Sequence, residues 1–138
     1  MSSIREVITD SLREINVLDA DETTASPEDA ALGLRELNRL MAGLAADGID
    51  LGFPPQDNVS DDFPLDATSE AQVIPLLSVR LLKHFPSSKP SPSLLLDADT
   101  ARQQLMRSAV LANMEEADLR NIPLGEGYGS RASILTDN

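Results

Sequence analysis

The side chains that could do chemistry in this chain are one histidine and a few groups of acidic residues. His84 is the only histidine, and as a general base it would need a nucleophile or a carboxylate beside it, which sequence alone does not place. It stands between Lys83 and Phe85 at an expected helix end, where an imidazole complements the negative end of the helix dipole. We therefore expect a helix-end or surface role for His84 and not a catalytic one.

The acidic residues form short clusters. None of the clusters has the alternating oxygen ligands and central glycine of an EF-hand calcium loop, so solvated loops and helix caps account for them better. A carboxylate pair for glycoside hydrolysis is defined by spatial proximity and not by sequence spacing, so that alternative stays open. The clusters are Asp19-Asp21-Glu22, Asp61-Asp62, Asp97-Asp99 and Glu115-Glu116.

A glycine-rich run, Gly125-Glu126-Gly127-Tyr128-Gly129, superficially looks like a phosphate-binding loop. It neither follows an apolar strand nor opens a helix, and no lysine comes after it, so a dinucleotide fingerprint and a P-loop are not indicated. The chain has no cysteine, which excludes a disulfide framework and a thiolate metal site. The sequence therefore indicates no cofactor and no metal.

The composition indicates one small helical domain. Of the 138 residues three are phenylalanine, one is tyrosine and none is tryptophan, so the core must be built from aliphatic residues, which favour helices over sheets. The net charge of −12 disfavours non-specific nucleic-acid binding. The first residues do not resemble a signal peptide, and no apolar run approaches the roughly 20 residues of a membrane span. We expect synthesis in the cytoplasm and no membrane partner.

Apolar spacing predicts two N-terminal helices that pack as an antiparallel hairpin. Ser3 and Glu6 form a possible capping box before the first helix. Ser26 and Pro27 suit the start of the second helix, and Asp47-Gly48 suits its end. The apolar stripes are Ile4, Val7, Ile8, Leu12 and Ile15 in the first helix and Ala30, Leu34, Leu37, Met41 and Leu44 in the second.

Two further helices are predicted after a proline-rich acidic loop over residues 53–67. Thr68 or Ser69 is expected to cap the third helix, which runs to Phe85, and Pro75 predicts either a kink or a later start. The fourth helix follows Ser91-Pro92 and runs to about Glu116. Its predicted face is rich in alanine and consists of Leu95, Ala98, Ala101, Leu105, Ala109 and Ala112.

The fold predicted from these segments is all-α. Residues 1–119 would form a small antiparallel bundle of four main helices, with an extended loop between the second and the third. Helical periodicity stops beyond Leu119, so residues 120–138 would form an extended C-terminal tail that orders when it binds a partner.

The segment from Ser26 to Phe53 resembles the head-to-tail adaptor proteins of tailed bacteriophages, in particular the small podovirus family of packaged-DNA stabilisation or tail accessory factors. That family has a helix that begins Glu-Asp-Ala and continues with spaced leucines, an asparagine and a methionine. It ends in a tryptophan and Asp-Gly, followed by Ile/Leu-rich residues and an aromatic. This chain departs from the pattern between Gly43 and Ala46, because it has no tryptophan. The matching residues are Glu28, Asp29, Ala30, Leu34, Leu37, Asn38, Met41, Asp47, Gly48, Ile49, Leu51 and Phe53.

The resemblance implies a structural virion protein in the neck, between the capsid portal and the tail, and not an enzyme. Copies would form a ring, usually of twelve, under the portal protein. The ring would extend the DNA channel, retain the packaged DNA and carry downstream tail or nozzle proteins, while DNA passes without sequence-specific binding. The alternatives are a tail-completion or other neck protein further down the channel, a small cell-wall hydrolase, and a cytoplasmic regulatory or interaction module.

The resemblance also implies two binding regions. The C-terminal tail would reach the portal or the adjacent subunit, since its tyrosine suits an interface and its glycines allow close backbone approach. The loop between the second and third helices would contact neighbouring subunits or the tail. The tail residues are Leu124, Gly125, Glu126, Gly127, Tyr128, Gly129, Arg131, Ile134 and Leu135, and the loop residues are Val59, Asp61, Asp62 and Phe63.

Charge is unevenly distributed along the chain. Residues 53–70 contain five acids and no base, whereas residues 71–96 contain Arg80, Lys83 and Lys89 and no acid. Simple solubility of loops is one interpretation. The other interpretations are that acidic and basic faces of neighbouring copies meet, or that acidic loops line a channel through which DNA slides.

Overall fold

A computed structural model describes residues 2–18 and 23–116 of the chain. These residues form four α-helices that pack together, and they contain no β-strand, so the all-α prediction is confirmed. The predicted C-terminal tail, 120–138, lies outside the described residues. The helices are α1 (Ile4–Glu14), α2 (Pro27–Ala46), α3 (Ala67–Leu81) and α4 (Leu94–Glu116).

Helix α3 is central, because it packs against each of the other three helices. Its N-cap is Asp66, so the prediction of Thr68 or Ser69 is wrong. The Asp66 carboxylate accepts a hydrogen bond from the backbone N–H of Ser69 at 3.1 Å. Asp, Ser and Thr are all good N-cap residues, so their sequence alone could not show which of them would cap the helix.

The expected later start of α3 at Pro75 is also wrong, because the helix begins eight residues earlier and continues through the proline. Pro75 has no N–H to donate within the helix. The cap at Asp66 and the burial of Val73 on one side of the proline and Leu77 on the other stabilise the helix around it. The α-helix ends at Leu81, and a single 3-10 turn, Leu82–His84, replaces the predicted continuation to Phe85.

Small residues allow α1 to approach its neighbours closely. Gly33 of α2 lies against Ile8, and a Cβ atom at that position would overlap the Ile8 side chain. On the other side, Ser11 and Ser78 are both buried where α1 meets α3. The Ser78 hydroxyl donates to the backbone carbonyl of Ser11 at 2.9 Å. The hydroxyl is therefore satisfied in the interior, as buried polar groups must be.

The predicted apolar faces agree with the core in α1 and differ in α2 and α4. The whole α1 stripe is buried, and the Ser3–Glu6 capping box is present. In α2, Leu40 is buried and Leu34 only partly so. In α4 the buried side chains are Leu94, Ala98, Ala101, Leu105 and Ala109, whereas Leu95 and Ala112 are exposed.

Candidate functional site

The loop between α2 and α3, residues 47–66, is fastened to the start of α1. The first N–H groups of a helix have no partner within the helix, and the loop supplies carbonyl groups to two of them. In addition, one N–H group of the loop donates to a carbonyl group that precedes α1. The three bonds are Ile4 N–H to Asp61 O at 2.9 Å, Arg5 N–H to Val59 O at 2.9 Å, and Phe63 N–H to Ser2 O at 2.8 Å.

Two side chains outside α1 fix the same loop. The Asn38 amide both accepts from the Gln56 backbone N–H at 2.9 Å and donates to the Gln56 carbonyl at 2.8 Å. The Phe63 ring is 1% exposed, and its centroid lies 5.7 Å from that of Phe53. Asn38 and Phe53 belong to the pattern on which the resemblance to the adaptor family rests, and both contact parts of this loop.

The four loop residues predicted for contacts between subunits fall into two groups. Phe63 is buried and Val59 is half-buried, and both pack against this chain's own core. Asp61 and Asp62 are exposed, so the loop presents carboxylates to solvent. Their contact with a neighbouring subunit stays a prediction. The predicted tail residues, Leu124 to Leu135, lie outside the described residues.

Glu36 of α2 is the one buried charged residue in the part of the chain that the structure describes. Its carboxylate is fully covered and receives hydrogen bonds from two arginines and one histidine. These side chains are themselves 29–56% exposed. The bonds are Arg39 Nη1 to Oε1 at 3.0 Å, Arg80 Nε to Oε2 at 3.1 Å, and His84 Nε2 to Oε1 at 3.2 Å.

The surroundings of Glu36 keep its carboxylate ionised. Burial by itself raises the pKa of Glu36, but the hydrogen bonds from His84, Arg80 and Arg39 and the charge of Lys83 outweigh it, so the pKa lies below the ordinary 4.5. A general acid needs the opposite shift. We name the four basic residues around Glu36 the cationic cluster: Arg39, Arg80, Lys83 and His84. Its hydrogen bonds to Glu36 tie α2 to the end of α3.

Sequence reasoning did not find Glu36, although a signal for it exists. Glu36 lies three residues after Gly33 and four before Leu40, the helical spacing of a single face, and all three are buried. An acid at a core position of an amphipathic helix indicates a buried charge that needs a partner. His84 was expected to complement a helix end. It does lie in the 3-10 turn after α3 and is exposed, and its ring also bonds to Glu36.

The low pKa of Glu36 predicts a pH dependence of stability. A carboxyl whose pKa is lower in the folded than in the unfolded protein contributes stability that is complete above its unfolded pKa and lost as pH falls through its folded pKa. We therefore expect the difference in unfolding free energy between the native protein and Glu36→Gln to be constant above about pH 5 and to shrink as pH falls below 4.5. Urea denaturation of both proteins between pH 7 and pH 3 measures this. A difference that stays constant to pH 3 would contradict the assignment.

The other acids within residues 2–18 and 23–114 form no reaction centre. Asp50 and Asp66 line one groove between the loop and the last turns of α4, but each accepts a backbone N–H bond, from Gly52 and Ser69 respectively. The bonds from Ser69 lower the pKa of Asp66, which does not favour the acid role in glycoside hydrolysis. Among the described residues no group of three or more His, Cys, Asp or Glu side chains could hold a metal ion.

Comparison with known proteins adds no assignment. No protein-family model and no curated protein matches this chain. Within residues 2–18 and 23–116, no helix has the length and apolar character needed to cross a membrane. Inferences about function therefore rest on the pattern of residues 26–53, on the docked acidic loop and on the cationic cluster.

Proposed function

We propose that this chain is a head-to-tail adaptor of a tailed bacteriophage, a structural virion protein whose copies form a ring under the portal protein. The ring extends the DNA channel, retains packaged DNA and provides the attachment platform for downstream tail or nozzle proteins. One observation carries the proposal: residues of the adaptor-like pattern fix the acidic loop, since Asn38 of α2 binds the backbone of Gln56 and Phe53, within the loop, packs against the buried Phe63 ring. Residues of the adaptor-like pattern therefore help to set the position of the acidic loop.

The charge of the loop suits a channel through which DNA must move. Between Arg39 and Arg80 the chain has no basic residue and seven acids, Asp47, Asp50, Asp57, Asp61, Asp62, Asp66 and Glu70. A surface that holds DNA neutralises its phosphates with lysine and arginine. A ring of carboxylates repels the negatively charged phosphate backbone of DNA. DNA can therefore pass through the channel without binding to its wall.

The same loop and the cationic cluster provide complementary surfaces for contacts between copies in the ring. Asp66 caps the start of α3, and Arg80 lies in its last turn, so the two surfaces are separated by the length of a 15-residue helix, about 22 Å. A contact between two different surfaces of identical chains repeats from copy to copy and closes into a ring when the rotation allows. The cationic cluster of one copy would meet the acidic loop of the next.

In this proposal the C-terminal tail reaches the portal. The residues involved are those from Leu124 to Leu135, which contain four apolar or aromatic anchors and three glycines, namely Leu124, Tyr128, Ile134 and Leu135 and Gly125, Gly127 and Gly129. Each contact is weak, but identical contacts around a ring act together because the first one raises the effective concentration of the others.

Deleting residues 125–138 should abolish cosedimentation with portal rings and leave the four helices folded. The helices should persist because all the described buried side chains lie within residues 4–109. Far-UV circular dichroism checks the fold, and cosedimentation with purified portal protein measures binding. The matched control keeps the chain length and carries the same 14 residues in scrambled order, which should also fail to bind. Cosedimentation of the truncated chain at full-length levels would remove the tail from the mechanism.

A further inference from the structure

Helix α4 has a second apolar face, opposite the one that packs on α3. Six large apolar side chains on this helix are between 45% and 68% exposed. Isolated exposed leucines are ordinary, but large apolar residues grouped on one side of a helix, here two near its start and four toward its end, indicate an interaction site. The six residues are Leu95, Leu96, Met106, Val110, Leu111 and Met114.

This side of α4 carries a stripe of residues whose spacing is symmetric about its midpoint and whose charges are opposite on the two sides. Leu96, Asp99, Gln103, Arg107 and Val110 follow one another at spacings of three, four, four and three residues, which places them on one helical stripe. We name them the outer stripe. Gln103 is its midpoint. Asp99 lies four residues before Gln103 and Arg107 lies four residues after it. Leu96 and Val110 lie seven residues before and after it. All five are exposed.

This arrangement is complementary to itself in only one orientation. When a second copy of the stripe lies antiparallel with Gln103 opposite Gln103, Asp99 of each copy faces Arg107 of the other, and Leu96 faces Val110. A parallel pairing would place acid against acid and base against base, which is unfavourable. The remaining exposed apolar residues of α4 flank the stripe and would be covered in part by the same pairing.

The charges of the outer stripe are available for such a pairing. Arg107 takes part in none of the salt bridges formed among the described residues. Asp99 accepts only an exposed hydrogen bond from the Gln103 side chain, at 3.2 Å. An arginine that forms no salt bridge with another described residue, beside exposed apolar side chains and with the matching acid two turns away, fits a second copy of the same helix better than a partner of unrelated charge.

We propose that the free protein forms a two-fold dimer through the outer stripe of α4. A contact of one surface with itself closes at two copies and cannot extend into a ring, so this dimer uses a surface other than the contacts proposed for the adaptor ring. The inference therefore goes beyond the adaptor function and holds whether or not that function is correct. In an adaptor, the dimer would be a form that must open or remain peripheral when the ring assembles.

Charge reversal tests the pairing on the full-length chain by sedimentation velocity. The native protein should sediment as a dimer. Asp99→Arg and Arg107→Asp should each weaken dimerisation at least tenfold, because each places like charges opposite each other at two symmetric positions. The double variant should recover the native dimer, since the pairs are then exchanged. Arg35→Asp, at an exposed arginine of α2, is the matched control and should have no effect. A monomeric native protein, or a double variant that stays dissociated, would overturn the proposal.

Cysteine crosslinking tests the position of the two-fold axis even where charge reversal disturbs folding. The chain has no cysteine, so a single introduced cysteine can only pair with another copy. Gln103→Cys should form a disulfide-linked dimer on mild oxidation, because two cysteines at a two-fold axis meet within disulfide range. Gln104→Cys, the adjacent exposed glutamine, points away from the stripe and should crosslink at least tenfold more slowly. Equal crosslinking rates would contradict the proposed axis.

Discussion

Phe63→Ala should lower the free energy of unfolding by about 3 kcal/mol, in the range measured when a buried phenylalanine is truncated. The ring is almost completely covered and contacts Phe53, so its removal leaves a cavity that the surrounding core fills only in part. Small domains have total stabilities of roughly 5–15 kcal/mol. One substitution in a loop would therefore remove a large share of the stability and release the loop from the start of α1.

Urea denaturation measures the loss of stability, and amide hydrogen exchange shows where it occurs. The N–H groups of Ile4, Arg5 and Phe63, which form the bonds between the loop and α1, should lose protection more than amides inside α3. The matched control is Phe85→Ala, the same truncation at a half-buried site, which should cost less than half as much. Unchanged protection at Ile4 and Arg5 would show that Phe63 does not fasten the loop.

Glu36→Gln should destabilise the protein by about 2 kcal/mol, because hydrogen bonds to a charged group contribute about 1.5–3 kcal/mol and glutamine carries no charge to attract the cations. The amide would also place its NH₂ group beside one of the donors. Breaking a fully buried ion pair costs about 3–5 kcal/mol. A smaller loss is expected here, since the side chains that bond to Glu36 are 29–56% exposed and can regain water.

Denaturation at pH 7 measures this change. Glu14→Gln is the matched control, because Glu14 is an exposed acid at the end of α1 and surface changes of this kind stay within about 0.5 kcal/mol. A loss at Glu36 no larger than at Glu14 would mean that the cationic cluster does not hold α2 against the end of α3.

The parts of the fold that could be predicted from sequence are those where several local signals agree. In α1 the capping box, the apolar stripe and the polar opposite face all indicate the same helix, and every residue of the predicted stripe is buried, although Thr9 and Ser11 are buried as well. In α4 the run Leu94-Leu95-Leu96 fits several helical phases, and the predicted face was displaced by one residue at its start. The spacing of apolar residues within α4 cannot show which of these leucines faces the core, because that depends on how α4 packs against α3.

The features that sequence could not supply depend on residues far apart in the chain. Glu36 meets Arg80 and His84 across 44 and 48 residues, and no local spacing encodes that meeting. The attachment of the loop is similar, since Asn38 binds the backbone of Gln56 and backbone groups have no sequence signature. The acidic character of the loop was evident from composition. The position of the loop against α1 could not be predicted, because it depends on backbone hydrogen bonds between distant residues.

The most direct test of the adaptor proposal is electron microscopy of the full-length chain mixed with the portal protein encoded in the same genome. We predict a ring of copies, twelve by the family resemblance, bound directly under the portal and continuous with its channel. The acidic loop of each copy should face the channel or the adjacent copy. A portal that carries no ring, or a ring that joins the complex only below another neck protein, would contradict the proposal.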